Sequence, residues 1–516
     1  MKNGAWLVWL VLALTAILVA DQTRYLFTYP VPDTGMWFGD ETWTMLTARA
    51  LVRTGVACVP EALGSSLAHS NGLINGSIWI SGILYGLPAS VLSAHASPVA
   101  IGRLITLLLS LITLLLVYAL SRRVGASAFA AALGIFALVL SNAFYFSSHS
   151  ARLDVVTGLG VLVYFYFLVI AFQKYVANAN TLSLRWYFAI AFFAVFSIAV
   201  YVHVPTLIAL PAVYALWKLG VFERWKPLAA IFAAAISATA MILLIYWASA
   251  GSINLLGSGY NQYYNVAFSL PVLHLFSWRV QKINTIDRAI QLWQVAWPLV
   301  SIIIIGLVSW LISKWKASEI QRYYFVLSVL LLVSWALFEG PAVFYNIHVL
   351  PVLGTIAALL LTPLLRSHLR QEIRYSLAII FIFFFIQSIV LQERLGNVGY
   401  RLASNNDTAI HALIDPIAST ELHPLILTDQ PALNDIAADM SVRLMTNHLL
   451  LFGDENKPLS EILKEHRVNY LLLYSTVRWQ SPFREIADSL YILVGERTGT
   501  LTDQARSYEE PNWKDI

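Results

Sequence analysis

The sequence predicts an α-helical polytopic membrane protein of about eleven spans, with a small α/β extracytoplasmic domain at its C-terminal end. Three observations predict it. Only 12% of the 516 residues are charged and 58% are hydrophobic, whereas a soluble domain is about 25% charged. Long apolar runs follow one another, each close to a bilayer in length. Charge also divides unevenly: residues 1–392 hold 22 Lys and Arg against 11 Asp and Glu, and residues 393–516 hold 11 against 18. A basic, apolar body therefore joins an acidic tail, and the boundary falls near residue 393.

The apolar runs lie near 4–20, 97–120, 127–146, 153–173, 186–203, 204–218, 226–249, 291–313, 322–339, 342–365 and 374–392. The run 77–93 decides the topology. With 77–93 not crossing and Lys2 inside, 14 basic residues fall on the cytoplasmic side and 8 on the other. Crossing would invert every later loop and put the basic loops outside, against the positive-inside rule. The segment 77–93 therefore reads as juxtamembrane or re-entrant. The N-terminus is then cytoplasmic, the loop 21–96 outer, and residues 393–516 extracytoplasmic, in a plasma or inner membrane. Residues 1–20 resemble a signal peptide in having one Lys and an apolar core, but their cleavage-site pattern is weak. They read better as an uncleaved first span.

In the tail, Leu425–Leu427, Tyr470–Leu473 and Tyr491–Val494 read as buried strands. Pro431–Met440 and Pro458–His466 read as helices, each opening on a proline suited to a first turn. No nucleophile motif, phosphate loop or metal spacing stands there, and a lid or docking module is its plain reading. The basic excess of the body sits in short loops between spans, which points to membrane lipid and not to nucleic acid. Cys58 is the only cysteine, so no internal disulfide and no cysteine-cluster metal site is possible.

Acids are scarce before residue 393, so each needs a reason. Asp40 and Glu41 lie in the outer loop, before an amphipathic stretch in which Trp43, Leu46, Ala50 and Leu51 share a helical face. Acids at a helix start cap and complement its dipole, and they also serve as bases. Asp154 follows Ser150-Ala151-Arg152-Leu153 at the outer end of a span. An ionisable residue at that depth is a functional candidate, with an ion pair to Arg152 as the structural alternative. Arg103 opens another span, His203 precedes Pro205, and Asn346 and His348 precede Pro351. All of these converge on one predicted membrane face. The outer loop 251–290 adds Tyr260, Tyr263, Tyr264, Trp278, Arg279, Lys282 and Arg288. Such a set suits a sugar ring and a phosphate, and an interfacial aromatic belt has the same composition.

The order of these motifs resembles the GT-C membrane glycosyltransferases, in the branch of the protein O-mannosyltransferases and aminoarabinose transferases. Gly39-Asp40-Glu41, Ala48-Arg49-Ala50-Leu51 and Gly55 resemble that family's first outer loop. Arg103-Leu104 opens a span as in the family, and Ala151-Arg152-Leu153-Asp154 resembles its Ala-Arg-Pro-Asp motif with leucine for proline. His203-Val204-Pro205 resembles a His-Pro turn, and His348-Val349-Leu350-Pro351 a Tyr-Leu-Leu-Pro segment with histidine for tyrosine. The resemblance covers residues 1–392. It implies transfer of a sugar from a polyprenyl-phosphate donor to a lipid, glycan or protein acceptor, without metal or cofactor. Asp40 is then the general base, with Glu41 and Asp154 orienting acceptor or donor. The resemblance puts Arg49, Arg103, Arg152, His203 and His348 among the substrate-binding residues, and Tyr263, Arg279 and Lys282 join them from the outer loop.

The chemistry agrees. A carboxylate can deprotonate the attacking hydroxyl, and a lipid phosphate leaving at the interface needs cations there. A transporter or flippase is the alternative reading. No internal repeat accompanies the polar residues, and they lie at one face instead of mid-membrane, which favours the enzyme. A scaffold presenting the acidic domain leaves Asp40-Glu41 without a role.

Overall fold

The computed structural model describes residues 5–28, 82–92, 98–148, 150–200, 203–250, 285–313, 316–338 and 343–365. It further describes scattered helical residues between 376 and 386, and the strand residues 425–428, 443–446, 470–473 and 492–496. Asp40, Glu41, Arg49, Tyr263, Arg279, Lys282 and the helices expected over 431–440 and 458–466 lie outside the described residues.

The apolar runs fold as helices: α1 (Ala5–Thr28), α2 (Leu87–Leu92), α3 (Pro98–Arg123), α4 (Ala128–Val139), α5 (Asn142–Ser148) and α6 (Asp154–Ala177). They continue as α7 (Leu184–Val200), α8 (His203–Lys218), α9 (Trp225–Ala250), α10 (Thr285–Ser313), α11 (Glu319–Phe338) and α12 (Leu350–Leu365). A π-helical turn, Gly82–Gly86, leads into α2, and a 3-10 turn, Val343–His348, leads into α12. Four helices are long and apolar enough across the described residues to cross a membrane: Ala100–Arg123, Asp154–Ala177, Trp225–Leu244 and Glu319–Leu337. The chain is an integral membrane protein.

The run 127–146 departs from a single span. The helix stops at Val139, and the chain bends at Ser141 before α5 restarts it. The Ser141 hydroxyl donates to the Leu138 carbonyl at 2.6 Å. A serine bonding back onto the preceding turn competes with the helical ladder, and hydropathy averaged over the run does not register that competition. The apolar segment Gly82–Leu92 is helical but short. At 1.5 Å per residue it reaches about 16 Å, roughly half the hydrocarbon thickness.

Helix α12 is the axis of the bundle. It packs on α3, α4, α6, α10 and α11, and nearly all of its residues are buried. Apolar side chains cannot drive helices together against equally apolar lipid, so close packing must. Glycine supplies it at the α4–α12 crossing: a Cβ on Gly134 would sit 2.5 Å from the Gly354 carbonyl oxygen. Helix α9 packs on α7 and leaves Phe232, Ile236 and Leu244 exposed, as lipid-facing residues are.

The C-terminal ends of α3, α6 and α8 form one basic face. Arg123 Nε donates to Gln173 Oε1 at 2.9 Å, which ties α3 to α6. Lys174 lies over the Trp186 ring at 5.0 Å and Lys218 over Trp217 at 4.6 Å. Stacked rings of Phe172 and Tyr323, 4.0 Å apart, join α6 to α11 near that face.

In the tail, β1 (Leu425–Thr428), β2 (Arg443–Thr446), β3 (Tyr470–Leu473) and β4 (Ile492–Glu496) form a parallel sheet of order β2-β1-β3-β4. Leu425 pairs with Arg443 and Ile426 with Tyr470. Three of these strands coincide with the apolar runs read from sequence. The fourth, β2, was not read because Arg443 and Thr446 interrupt its hydrophobic pattern.

Candidate functional site

At the opposite end of α6 from Lys174, the chain turns tightly before the helix begins. The Arg152 N–H donates to the Ser150 carbonyl at 2.7 Å, closing a three-residue turn. Leu153 precedes the helix without a side-chain cap, and Asp154 opens it. A carboxylate in a first helical turn is favoured by the helix dipole. Two residues back, Arg152 Nε donates to Asp154 Oδ2 at 2.7 Å. This is a charge-assisted bond inside the protein, since Asp154 is 2% and Arg152 6% exposed.

The third member arrives from far along the chain. His348 ends the 3-10 turn before α12 and is fully buried, with Nε2 at 3.2 Å from Asp154 Oδ1. Gly158, one turn into α6, makes room for that turn: a Cβ there would lie 2.8 Å from the Ile347 carbonyl oxygen. The neighbour of His348 can therefore press onto the α6 backbone. Each Asp154 oxygen is engaged, one by guanidinium and one by imidazole. Asp154 fixes the orientation of two basic side chains and neutralises charge that burial would otherwise penalise.

Three further residues line the same end. Tyr85, on the π-helical turn, is fully buried. Its hydroxyl donates to the Arg152 carbonyl at 3.0 Å and lies 3.1 Å from the Thr106 hydroxyl. Arg103 stands one turn before Thr106 on α3 and is buried. Of the residues expected from sequence, the structure joins Arg152, Asp154 and His348 directly and puts Arg103 on the adjoining helix. His203 is the first residue of α8, and its side chain lies outside the described residues. Tyr85, Thr106 and Gly158 were missed. The only sequence signal for Tyr85 is a polar ring between Gly82 and Gly86 in an otherwise apolar segment.

No family model matches the sequence, and no curated protein matches it. Solved structures do. ArnT from Cupriavidus metallidurans bound to undecaprenyl phosphate is 14% identical, with a TM-score of 0.47 and 89% of each chain covered. Its apo form gives 0.45 at 14% identity, covering 92% of this chain and 87% of that one. The Archaeoglobus fulgidus oligosaccharyltransferase in the apo form gives 0.50 at 10% identity, covering 89% of this chain and 69% of that one. The likeness to the archaeal oligosaccharyltransferase is one of fold, and that fold, the GT-C fold of membrane glycosyltransferases, is the fold of this chain.

Proposed function

We propose that this protein is a membrane glycosyltransferase that moves a sugar from a polyprenyl-phosphate donor to a lipid, glycan or protein acceptor on the outer membrane face. The observation that carries the reading is the buried Arg152–Asp154–His348 cluster at one end of the bundle. Buried ionisable groups at a helix end in a membrane protein mark substrate sites. This cluster holds two basic side chains where a lipid phosphate would lie, with Arg103 on the neighbouring helix. The GT-C fold and the order of the outer-loop motifs support the same reading.

In this mechanism Asp40 takes the proton from the acceptor hydroxyl, whose oxygen attacks the anomeric carbon. The bond from that carbon to the phosphate oxygen breaks, and the polyprenyl phosphate leaves with the bonding electrons. Arg103 and Arg152 stabilise the phosphate charge, through the planar guanidinium that suits it. Glu41 orients the acceptor, and Asp154 holds Arg152 and His348 in place. Arg49, His203, Tyr263, Arg279 and Lys282 complete the substrate surface. The arrangement comprises about eleven spans, a cytoplasmic N-terminus, and an extracytoplasmic α/β domain from residue 393.

The test is direct. Purified full-length protein in detergent is given a radiolabelled sugar on a polyprenyl phosphate together with lipid, glycan and peptide acceptors. Release of polyprenyl phosphate coupled to sugar transfer is the expected result. Absence of release across a panel of sugars would overturn the reading.

A further inference from the structure

The geometry points to Tyr85 as a positioning residue that sets the donor-phosphate arginine from the short helical segment Gly82–Leu92. This rests on the reading of Arg152 as a phosphate ligand and deepens it. The segment Gly82–Leu92, about 16 Å of helix within the described residues, falls in the stretch read from sequence as the end of the outer loop that carries Asp40 and Glu41. It packs on α3 and is joined to the bundle by Tyr85, whose ring is buried and whose hydroxyl meets two separate elements. One bond goes to the Arg152 carbonyl at 3.0 Å and the other contact is to Thr106 on α3 at 3.1 Å.

The local backbone is suited to this. Gly82 and Gly86 flank the tyrosine and are both buried in the π-helical turn. One-turn π segments distort a helix locally and recur at functional sites. The turn it grips also carries bonds of its own. Its N–H side is fixed by the short bond from Arg152 to Ser150, and Leu153 gives the helix no side-chain cap. Tyr85 supplies a restraint on the carbonyl side of the same residue. The Arg152 backbone is thus held through both its N–H and its carbonyl, and its guanidinium is aimed by Asp154. Movement of the segment would reach the residue that holds the phosphate through this hydrogen bond.

Tyr85→Phe tests this, because it keeps the buried ring and removes only the hydroxyl. Two readouts are taken on full-length protein in detergent. Hydrogen exchange should show the amides of the Ser150–Asp154 turn opening about tenfold faster, with the middle of α6 unchanged. Binding of undecaprenyl phosphate should weaken about 5–10-fold, the size of one lost hydrogen bond. In an Arg152→Lys background the same substitution should weaken binding less than twofold, because coupled residues do not add. Unchanged exchange in the turn overturns the restraint. Faster exchange with wild-type binding, or losses that multiply in the double variant, reduces Tyr85 to packing and overturns its role in positioning. Wild-type protein that binds no undecaprenyl phosphate at all overturns the donor reading itself, while the exchange measurement still decides whether Tyr85 holds the turn.

Discussion

His348 Nε2 lies 3.2 Å from Asp154 Oδ1 although 194 residues of sequence separate them. The same carboxylate receives Arg152 Nε on its other oxygen at 2.7 Å. One buried acid thus joins two basic side chains, one beside it in the chain and one brought by the turn before α12.

Replacing Asp154 with asparagine keeps the side chain's size and removes its charge. Arg152 would remain buried beside it without that counter-ion. Removing one partner of a buried pair costs about 3–5 kcal/mol. The Asp154→Asn protein should therefore melt at markedly lower temperature in detergent and bind donor poorly. Wild-type stability in this variant would show that the arginine is neutralised by another group.

The contact between Gly158 and Ile347 gives a paired test. Gly158→Ala forces a methyl group to within 2.8 Å of the Ile347 carbonyl oxygen, so the His348 turn must move. Overpacking of this kind costs about 1–3 kcal/mol. At Gly160, two residues on, a Cβ would meet nothing nearer than Val204 at 3.8 Å among the described residues. Gly160→Ala should be neutral, or stabilising by up to about 1 kcal/mol through helix propensity. Equal thermal shifts in the two variants would remove any special role for the Gly158 contact.

Arg103 and Arg152 are separable from lysine. The guanidinium presents a planar fork and lysine a single rotating ammonium, and Arg152 uses its Nε to reach Asp154. Arg→Lys at either position should lower donor affinity on the order of 10–100-fold, as expected for charge-assisted bonds of about 1.5–3 kcal/mol. Undiminished affinity in alanine variants of both would make them structural ion-pair partners.

Asp40 is tested by its amide. Asp40→Asn retains capping ability and loses the proton acceptor. Turnover should fall about 10²–10⁴-fold with unchanged thermal stability. A capping role gives the reverse: asparagine tolerated, and alanine destabilising by roughly 1 kcal/mol.

Orientation is read with reporter fusions. Those after Arg123, Lys226 and Arg370 should report cytoplasm, and those at Gly257 and Asn456 the outer side. An outer-side signal at Arg123 would mean that 77–93 crosses, and would invert the proposed active face.

Much of this architecture was legible in the sequence because lipid imposes one strong rule: an apolar run of sufficient length becomes a helix. The run 153–173 reappears as α6 and 226–249 as α9. The break after Val139 was not legible, because a single serine bonding to Leu138 decides it inside a run that stays apolar on average. At the site, Arg152 and Asp154 were legible as neighbours and their ion pair was one of the readings weighed. The partnership of Asp154 with His348 was not, because it depends on the packing of α12 and on the absence of a side chain at Gly158. Tyr85 escaped notice because an amphipathic ring in an apolar segment reads as interface, and only its contact with the Arg152 carbonyl distinguishes it.

The arrangement of the charge cluster also bears on how the protein is made. Acids at the centre of an inserting helix are disfavoured by about 2.5–3.5 kcal/mol. Asp154 stands at a helix end and emerges from the ribosome two residues behind Arg152, so its counter-ion is already attached to it when α6 partitions into the bilayer. His348 is synthesised nearly two hundred residues later. Early helices can enter the membrane with a neutralised pair, while the complete cluster waits for the turn Val343–His348. A chain truncated before the turn Val343–His348 would contain Arg152 and Asp154 and lack the histidine, so the first two members of the cluster can be studied without the third.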